Sequence, residues 1–556
     1  MRAGICVSAS LAAAALTISA TTSASAQAID FETLPDGSPV IDEMFISDQF
    51  EADFGVRFDL VDPVTLLPVG SPQIAQVGAP QTAFNGCGPD TPLDDQQIGS
   101  FFLTDDTSVS NVAGTLLLSY SSPVAQSAGA VLDVDTRSSG AFEEWTIEAL
   151  ASDMSVLETR VITAPSGPDT CNIRQGPGDA RAIGFVFDRA VADIHFIVLR
   201  YTGTATSSIG LAFDNFSPTS IPDAPGVTLT DPSGIACFGD AVNLAPNITD
   251  GLAGFAYQWQ QAPDVTGPFV DIAGVTSPSF GAPALPGMFY RVNITDTLGR
   301  SATSNAVTTT SRPVSWTLLF ETAAGSGVYD TVATDIEPVI LNGSIASYWG
   351  WQNDEQFFHG SIPALTLDRA HLFLTIGAGG QSIVSVLDSA SSNGGGRAEM
   401  RASFTNATPD WMFKDDPGDV YRDGGTAVLR SRQNWDTPNT DGWAIGPLNG
   451  SWTAEVEFTD TFTGTPTIDG LDSLAFYDAD GTAHVLVLEE DRRVMVEAVC
   501  SCLADLNSDG VLDFFDIQAF LGMFAASDPA ADFNGDGVLD FFDVQAYLGL
   551  FAAGCP

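Results

Sequence analysis

The strongest constraint in this sequence is a repeat near its C-terminus. ADLNSDGVLDFFDIQAFLGMFAA starts at Ala504 and ADFNGDGVLDFFDVQAYLGLFAA at Ala531, identical at 18 of 23 positions with nothing inserted or lost. Two such copies are expected to fold alike and to pack as a pseudo-symmetric pair. Each spaces its oxygens as a hard cation requires. In the first copy Asp505, Asn507 and Asp509 alternate, Gly510 turns the chain, and the Val511 carbonyl, Asp513 and Asp516 follow. In the second the same places hold Asp532, Asn534, Asp536, Gly537, Val538, Asp540 and Asp543. Ca²⁺ takes roughly six to eight oxygens, and this order of side chains and one carbonyl wraps it in a single loop. The runs after the loops read as helices. Leu512, Ile517, Phe520 and Leu521 are expected to meet Leu539, Val544, Tyr547 and Leu548 in a small core. So small a module buries little apolar surface, so bound metal would supply part of its folding free energy.

Two features separate these loops from a calmodulin-type hand: the closing carboxylate is Asp, and only the short EAVCSCLA precedes the first loop. A loop followed only by its exiting helix, written twice, resembles the dockerin domain, over residues 499–556. The Gly554–Cys555 ending is similar to the Gly-Cys-terminated variant found on exported planctomycete-type bacterial proteins. The resemblance implies two Ca²⁺ ions and attachment or sorting at the cell surface, through a cohesin-like or other surface protein. Phe514, Phe515, Phe541 and Phe542 stand where cellulosomal dockerins carry small polar residues. Exposed, they would form the partner-binding surface; buried, they would complete the core.

The rest of the chain is read against its charge. There are 70 acidic and 20 basic residues, net −50. Such a field repels nucleic acid and anionic membranes and suits cations. The N-terminal residues 1–26 read as a secretory signal: Arg2, a short apolar run, then Ala24–Ala26 before Gln27. No further run of membrane-spanning length follows, so the expected mature protein is secreted, extracellular or on the cell surface. Six cysteines remain after Cys6, an even number that favours disulfides in an exported chain. Cys87 with Cys171 suit one bridge. Cys555 suits a bridge to Cys500 or Cys502, leaving Cys237 with the other or free.

The expected fold is mostly β: a multi-domain chain of β-sandwiches ending in the small helical Ca²⁺-binding module. Residues 28–220 alternate apolar and polar, as in EEWTIEALA, with regular turn residues. Their ends, IDFETLPDGSPV and GLAFDNFSP, resemble jelly-roll modules of exported bacterial surface proteins. Some of those hold a structural Ca²⁺ where first and last strands meet. Carried over, Glu32 and Asp214 are its ligands, with Asp30 nearby; the same residues also suit ordinary strand ends. Residues 221–312 resemble a bacterial immunoglobulin-like domain, with Trp259 and Tyr290 as its core pair. The second cysteine usual in that family is missing, since Arg291 and Val292 follow Tyr290. Such domains commonly serve as spacers or adhesive modules.

Residues 313–498 hold seven of the nine tryptophans and read as another sandwich. Trp349, Trp351, Trp435 and Trp443 lie beside Asn, Asp and Gln, a pairing that suits a polysaccharide site, although tryptophans of a large core look the same in sequence. The four histidines form no metal-ligand pattern, and neither a GxSxG elbow nor a phosphate-cradling loop occurs. Glycoside hydrolysis needs only two carboxylates at no fixed sequence spacing, and Asp415–Asp416 and Glu489–Glu490 are available. The reading favoured is a non-catalytic surface or matrix protein docked through its tail. Its rival is a carbohydrate-active protein that binds or cuts a polysaccharide through 313–498.

Overall fold

The computed structural model describes residues 28–76, 99–105, 113–134, 140–164, 182–206, 209–232, 235–345, 365–388, 395–414, 420–422, 427–435, 440–458, 468–500, 502–507, 511–534 and 537–554. The expected signal, Cys87, Cys171, Trp349, Trp351, Asp415, Asp416, Asp509, Asp536 and Cys555 lie outside them. The chain divides into two compact units at 223/224. Both are dominated by antiparallel strands, and no helix among the described residues is long and apolar enough to cross a membrane.

The first unit consists of a six-stranded and a five-stranded sheet. The alternation legible in the sequence sets their faces: Glu144–Leu150 buries Trp145, Ile147 and Ala149 while Thr146 and Glu148 stay half-exposed. One core cluster draws Phe58, Leu118, Ile147 and Ile197 from one sheet and Leu103, Val131, Phe185 and Phe213 from the other, which makes the pair a sandwich. The chain's start is fastened to the last strand, Ala212–Ser217, by reciprocal backbone hydrogen bonds between Ile29 and Phe216 of 2.7 and 2.8 Å.

In the second unit, residues 226–312 form small sheets around Trp259 and Tyr290, both fully buried; the pairing is antiparallel except between Ile235–Cys237 and Thr310–Arg312, which run parallel. Trp259 Nε1 donates to the Ser277 carbonyl at 2.9 Å and Tyr290 Oη to the Pro283 carbonyl at 2.7 Å. Each ring thus buries its body and still satisfies its polar atom. Residues 314–500 form a larger sandwich of an eight-stranded and a seven-stranded sheet. Its last strand, Val494–Cys500, ends at the first cysteine of the expected tail, 499–556.

Residues 226–312 are not a free spacer relative to this sandwich. Cys237 is disulfide-bonded to Cys500, which gives Cys237 its mate in the last strand of the sandwich, outside residues 226–312. Cys502 is also disulfide-bonded. Gln381, fully buried, spends its whole amide at the same junction. Its Nε2 donates to the Phe238 carbonyl and to Asp240 Oδ1, at 3.1 and 3.2 Å. Its Oε1 accepts from the indoles of Trp316 and Trp452, at 3.3 and 3.1 Å. Beside it Gly380, at φ +95°, brings its backbone so close that an added Cβ would lie 3.0 Å from Ala241 N; only glycine suits that position.

Candidate functional site

The tail begins with its helices, Phe514–Ala525 and Phe541–Ala553, which start alike. Asp513 accepts from Phe515 N–H at 2.7 Å while Asp516 accepts from Asp513 N–H at 2.9 Å, a reciprocal capping box. Asp540, Phe542 and Asp543 repeat it at 2.7 and 2.8 Å. The closing aspartates also reach back into their loops. Asp516 accepts from Leu506 and Asn507 N–H at 2.9 and 3.3 Å, and Asp543 from Asn534 N–H at 3.3 Å. Asp532 accepts from Gly537 N–H at 2.8 Å, with Gly537 at φ +80° in the sharp turn. The described residues of both loops are thus tied to the helix starts.

Asp516 and Asp543 are fully buried. The backbone N–H groups of Asp513 and Asp540, foremost, hold them below the ordinary carboxylate range against the opposing effect of burial. Asp505 and Asp532 add hydrogen-bonding contacts that lower Asp516 and Asp543 in the same direction. The donor set, all oxygen, fits a hard cation. Among the described residues no group of three or more His, Cys, Asp or Glu is gathered to metal-holding distance; one loop carboxylate of each copy, Asp509 and Asp536, falls outside them.

The small core is built on the repeat itself. Phe520 and its counterpart Tyr547 are buried and stack on each other, centroids 4.2 Å apart and planes 6° apart. Phe533 meets both edge-on, and Tyr547 Oη donates to the Ala504 carbonyl at 3.3 Å. Leu512, Ile517, Leu539 and Val544 pack around them as expected. Leu521 and Leu548 do not: they are exposed, and Met523, Phe524, Leu550 and Phe551 take the inner places. The reason is helix phase. With about 3.6 residues per turn, the residue after Phe520 or Tyr547 is carried roughly 100° off the buried stripe.

The paired phenylalanines are outside. Phe514, Phe515, Phe541 and Phe542 are 68%, 61%, 71% and 62% exposed, nearly the same in both copies. Leu521 and Leu548 lie seven residues beyond Phe514 and Phe541, on the same helix face. The i, i+7 spacing carries this signal in the sequence, and it outweighs the expectation that the two leucines are core.

In the first unit, Asp214 is fully buried and its Oδ1 has no hydrogen-bond partner, while Oδ2 accepts from Asn215 Nδ2 at 3.2 Å. Burial, foremost, with Asp30 and Glu32 adding repulsion, pushes its carboxyl well above the ordinary range. Glu32 Oε1 itself accepts the N–H groups of Ser100 and Phe101, at 2.6 and 2.9 Å. The carboxylates expected near the strand ends are thus electrostatic neighbours, and the orphaned, desolvated oxygen of Asp214 fits a cation. No three-carboxylate cluster forms among them.

In the large sandwich Trp316, Trp435, Trp443 and Trp452 are buried in the core, and Trp411 is half-buried against it. His371 is buried with Nε2 accepting from Thr366 N–H at 2.8 Å and Nδ1 facing the Val386 carbonyl at 3.1 Å. Burial pushes it down to about 4, so it is a neutral structural group at ordinary pH.

No family model matches the chain, and no curated protein matches it. Among solved structures, a beta-1,2-glucanase from Parabacteroides distasonis is similar at 13% identity and a TM-score of 0.18, over 49% of this chain and 38% of the glucanase. The chain therefore spans well under half of that protein's length. The CBM22-1-CBM22-2 tandem domain from Paenibacillus barcinonensis Xyn10C is similar at 9% identity and a TM-score of 0.16, over 83% of this chain and 99% of that one. Neither TM-score reaches the level of a shared fold.

Proposed function

We propose that this chain is a secreted, non-catalytic modular protein held at the cell surface through its tail, a dockerin-like docking module folded around two Ca²⁺ ions. One observation carries the reading: the same two phenylalanines stand outside the module in both copies of the repeat, at 61–71% exposure. An exposed aromatic costs solubility, and repeating it in both copies is explained by a partner that covers it. The partner is a cell-surface protein, cohesin-like in role. Asp505, Asn507, Asp509, Val511, Asp513 and Asp516 would hold one ion, and Asp532, Asn534, Asp536, Val538, Asp540 and Asp543 the other. Ca²⁺ supplies the positive charge that lets the loop carboxylates meet. In the first unit Asp214, beside Asp30 and Glu32, would hold a structural Ca²⁺.

The rival reading, a polysaccharide stacked on the tryptophans of the large sandwich, finds no platform on Trp316, Trp435, Trp443 or Trp452, all of which are buried. The test is capture with the full-length chain, immobilised and washed with envelope extract in Ca²⁺ or in chelator. A surface protein retained only in Ca²⁺, and lost when all four phenylalanines become serine, is the expected result. Retention that ignores both chelator and substitution would overturn the proposal.

A further inference from the structure

Arg312 is the only arginine or lysine among the buried residues described, at 6% exposure. The other arginines whose side chains are described each have an ion pair or a hydrogen bond. Arg312 does not: its Nε is buried with no hydrogen-bond partner, and no described carboxylate reaches its guanidinium. Burial alone acts on its ionisation and pushes it down from the ordinary arginine value, in a chain with 70 acidic residues. Arg312 ends the short strand Thr310–Arg312, and parallel pairing with Ile235–Cys237 sets it beside Cys237. The Phe238 N–H donates to its carbonyl at 2.8 Å. The charge therefore lies at the clasp, where Cys237 is bonded to Cys500. The carboxylate at that clasp, Asp240, is turned to other partners: the N–H groups of Cys237 and Gly450, at 3.0 and 2.9 Å, and the Gln381 amide, at 3.2 Å. Thr309 Oγ1 and Ser311 Oγ, in the same stretch as Arg312, are also buried with no hydrogen-bond partner.

We propose that Arg312 anchors a binding site for one small monovalent carboxylate. A buried charge without a partner is strongly destabilising, and a guanidinium cannot shed its proton to escape that cost. Its planar fork fits the two oxygens of a carboxylate with parallel hydrogen bonds. The hydroxyls of Thr309 and Ser311 offer further donors in the same stretch. Charge selects the ligand. One guanidinium balances one negative charge, whereas a dianion such as sulfate leaves a surplus negative charge in a dry site. The field of a chain at net −50 disfavours the dianion again.

The inference is independent of the tail, so replacing the four tail phenylalanines should leave it unchanged. The test is thermal unfolding of the full-length chain in sodium acetate, sulfate or chloride at equal ionic strength, with Arg312→Met beside the unaltered protein. Subtracting the variant removes the general effect of each salt on apolar burial. In chloride Arg312→Met should melt higher than the unaltered chain, because an unpaired buried charge gives way to apolar packing. Acetate at about 0.1 M should raise the unaltered chain by about 2–4 °C more than the variant, and sulfate should give no such difference. Titration with isotope-labelled acetate, followed by its NMR linewidth, should show one saturable site, not displaced by sulfate and weakened at least about 10-fold in Arg312→Met, as for loss of a charge-assisted hydrogen bond. Arg57→Gln, in the first unit, should behave as the unaltered chain throughout. A variant that melts lower by the same amount in chloride and in acetate would make Arg312 a structural group and overturn the proposal. An equal gain from sulfate, or acetate that never saturates, would overturn it too. If Arg312→Met does not fold, the acetate titration and its competition by sulfate decide the matter with the unaltered protein.

Discussion

The tail and the large sandwich are the two most aromatic-rich parts of the chain, and they place their rings oppositely. In the sandwich Trp316, Trp435, Trp443 and Trp452 are all at or below 4% exposure. In the tail one stacked pair, Phe520 and Tyr547, is buried while four phenylalanines stand outside. Size explains part of this. Two large sheets enclose space between them for several indoles, whereas two short helices and their loops enclose space for little more than one stacked pair. The rest is sequence phase: Phe514 and Phe541 open their helices off the buried stripe. Aromatic content therefore says nothing about a site until the geometry shows which rings the core can hold.

The sharpest way to break this contrast is to remove one inner ring from each region. Trp443→Ala and Phe520→Ala should each cost about 3–5 kcal/mol. In the sandwich that is expected to lower the melting temperature of a still-folded domain. In the tail it should exceed what so small a module has to lose, so helical circular dichroism from 514–553 disappears even with Ca²⁺ present. A Phe520→Ala tail that keeps its helices would mean the stacked pair is not its core.

Next in size is the junction. Gln381→Leu leaves two indole N–H groups and the Phe238 carbonyl without this partner, while Asp240 keeps the N–H groups of Gly450 and Cys237. At about 1–3 kcal/mol for each buried group left unsatisfied, denaturant unfolding should show a loss of several kcal/mol. Residues 226–312 should also become protease-sensitive. A loss under about 1 kcal/mol would mean that water replaces the amide at no cost.

The acid responses of the two carboxylate sites should have opposite signs. Asp516 and Asp543 are held low in the folded chain, so the stability they add is present above the unfolded carboxylate value and is lost as pH falls through the folded one. Asp214 is held high, so its contribution is favourable below the unfolded value and is lost as pH rises through the folded one. In chelator, then, acid titration should melt the tail helices, while Asp214→Asn should stabilise the first unit at neutral pH. Added Ca²⁺ should stabilise the unaltered first unit and leave the Asp214→Asn variant unmoved. Thermal melts with and without Ca²⁺ check both, and a Ca²⁺ response that survives in Asp214→Asn would rule out Asp214 as a ligand.

The smallest effect belongs to the outer rings. Phe514→Ser and Phe541→Ser should change tail stability by no more than about 0.5 kcal/mol, as for exposed positions generally. If either unfolds the tail, the ring supports the fold and the docking surface must be sought elsewhere.

Much of this molecule was legible before any coordinates. The mostly β character follows from period-two alternation, as in EEWTIEALA, because a strand shows alternate faces to core and solvent. The inner Phe520 and Tyr547 follow from a repeat that fixes spacing along one short stretch of chain. What the sequence could not supply is whatever depends on partners far apart along it. Cys237 lies 263 residues from Cys500, and no local pattern could choose Cys500 over Cys502 as its mate. Gln381 reads as an ordinary strand polar residue until Trp316, Trp452, Phe238 and Asp240 converge on it. The ion-paired row of Arg397, Glu399 and Arg432, and of Arg401, Glu457 and Arg493, exists only because sheet register brings distant strands side by side. Spacing along the chain set the local elements, because their hydrogen bonds and periodicity are local; which side chains became core, clasp or surface was decided only when distant strands paired.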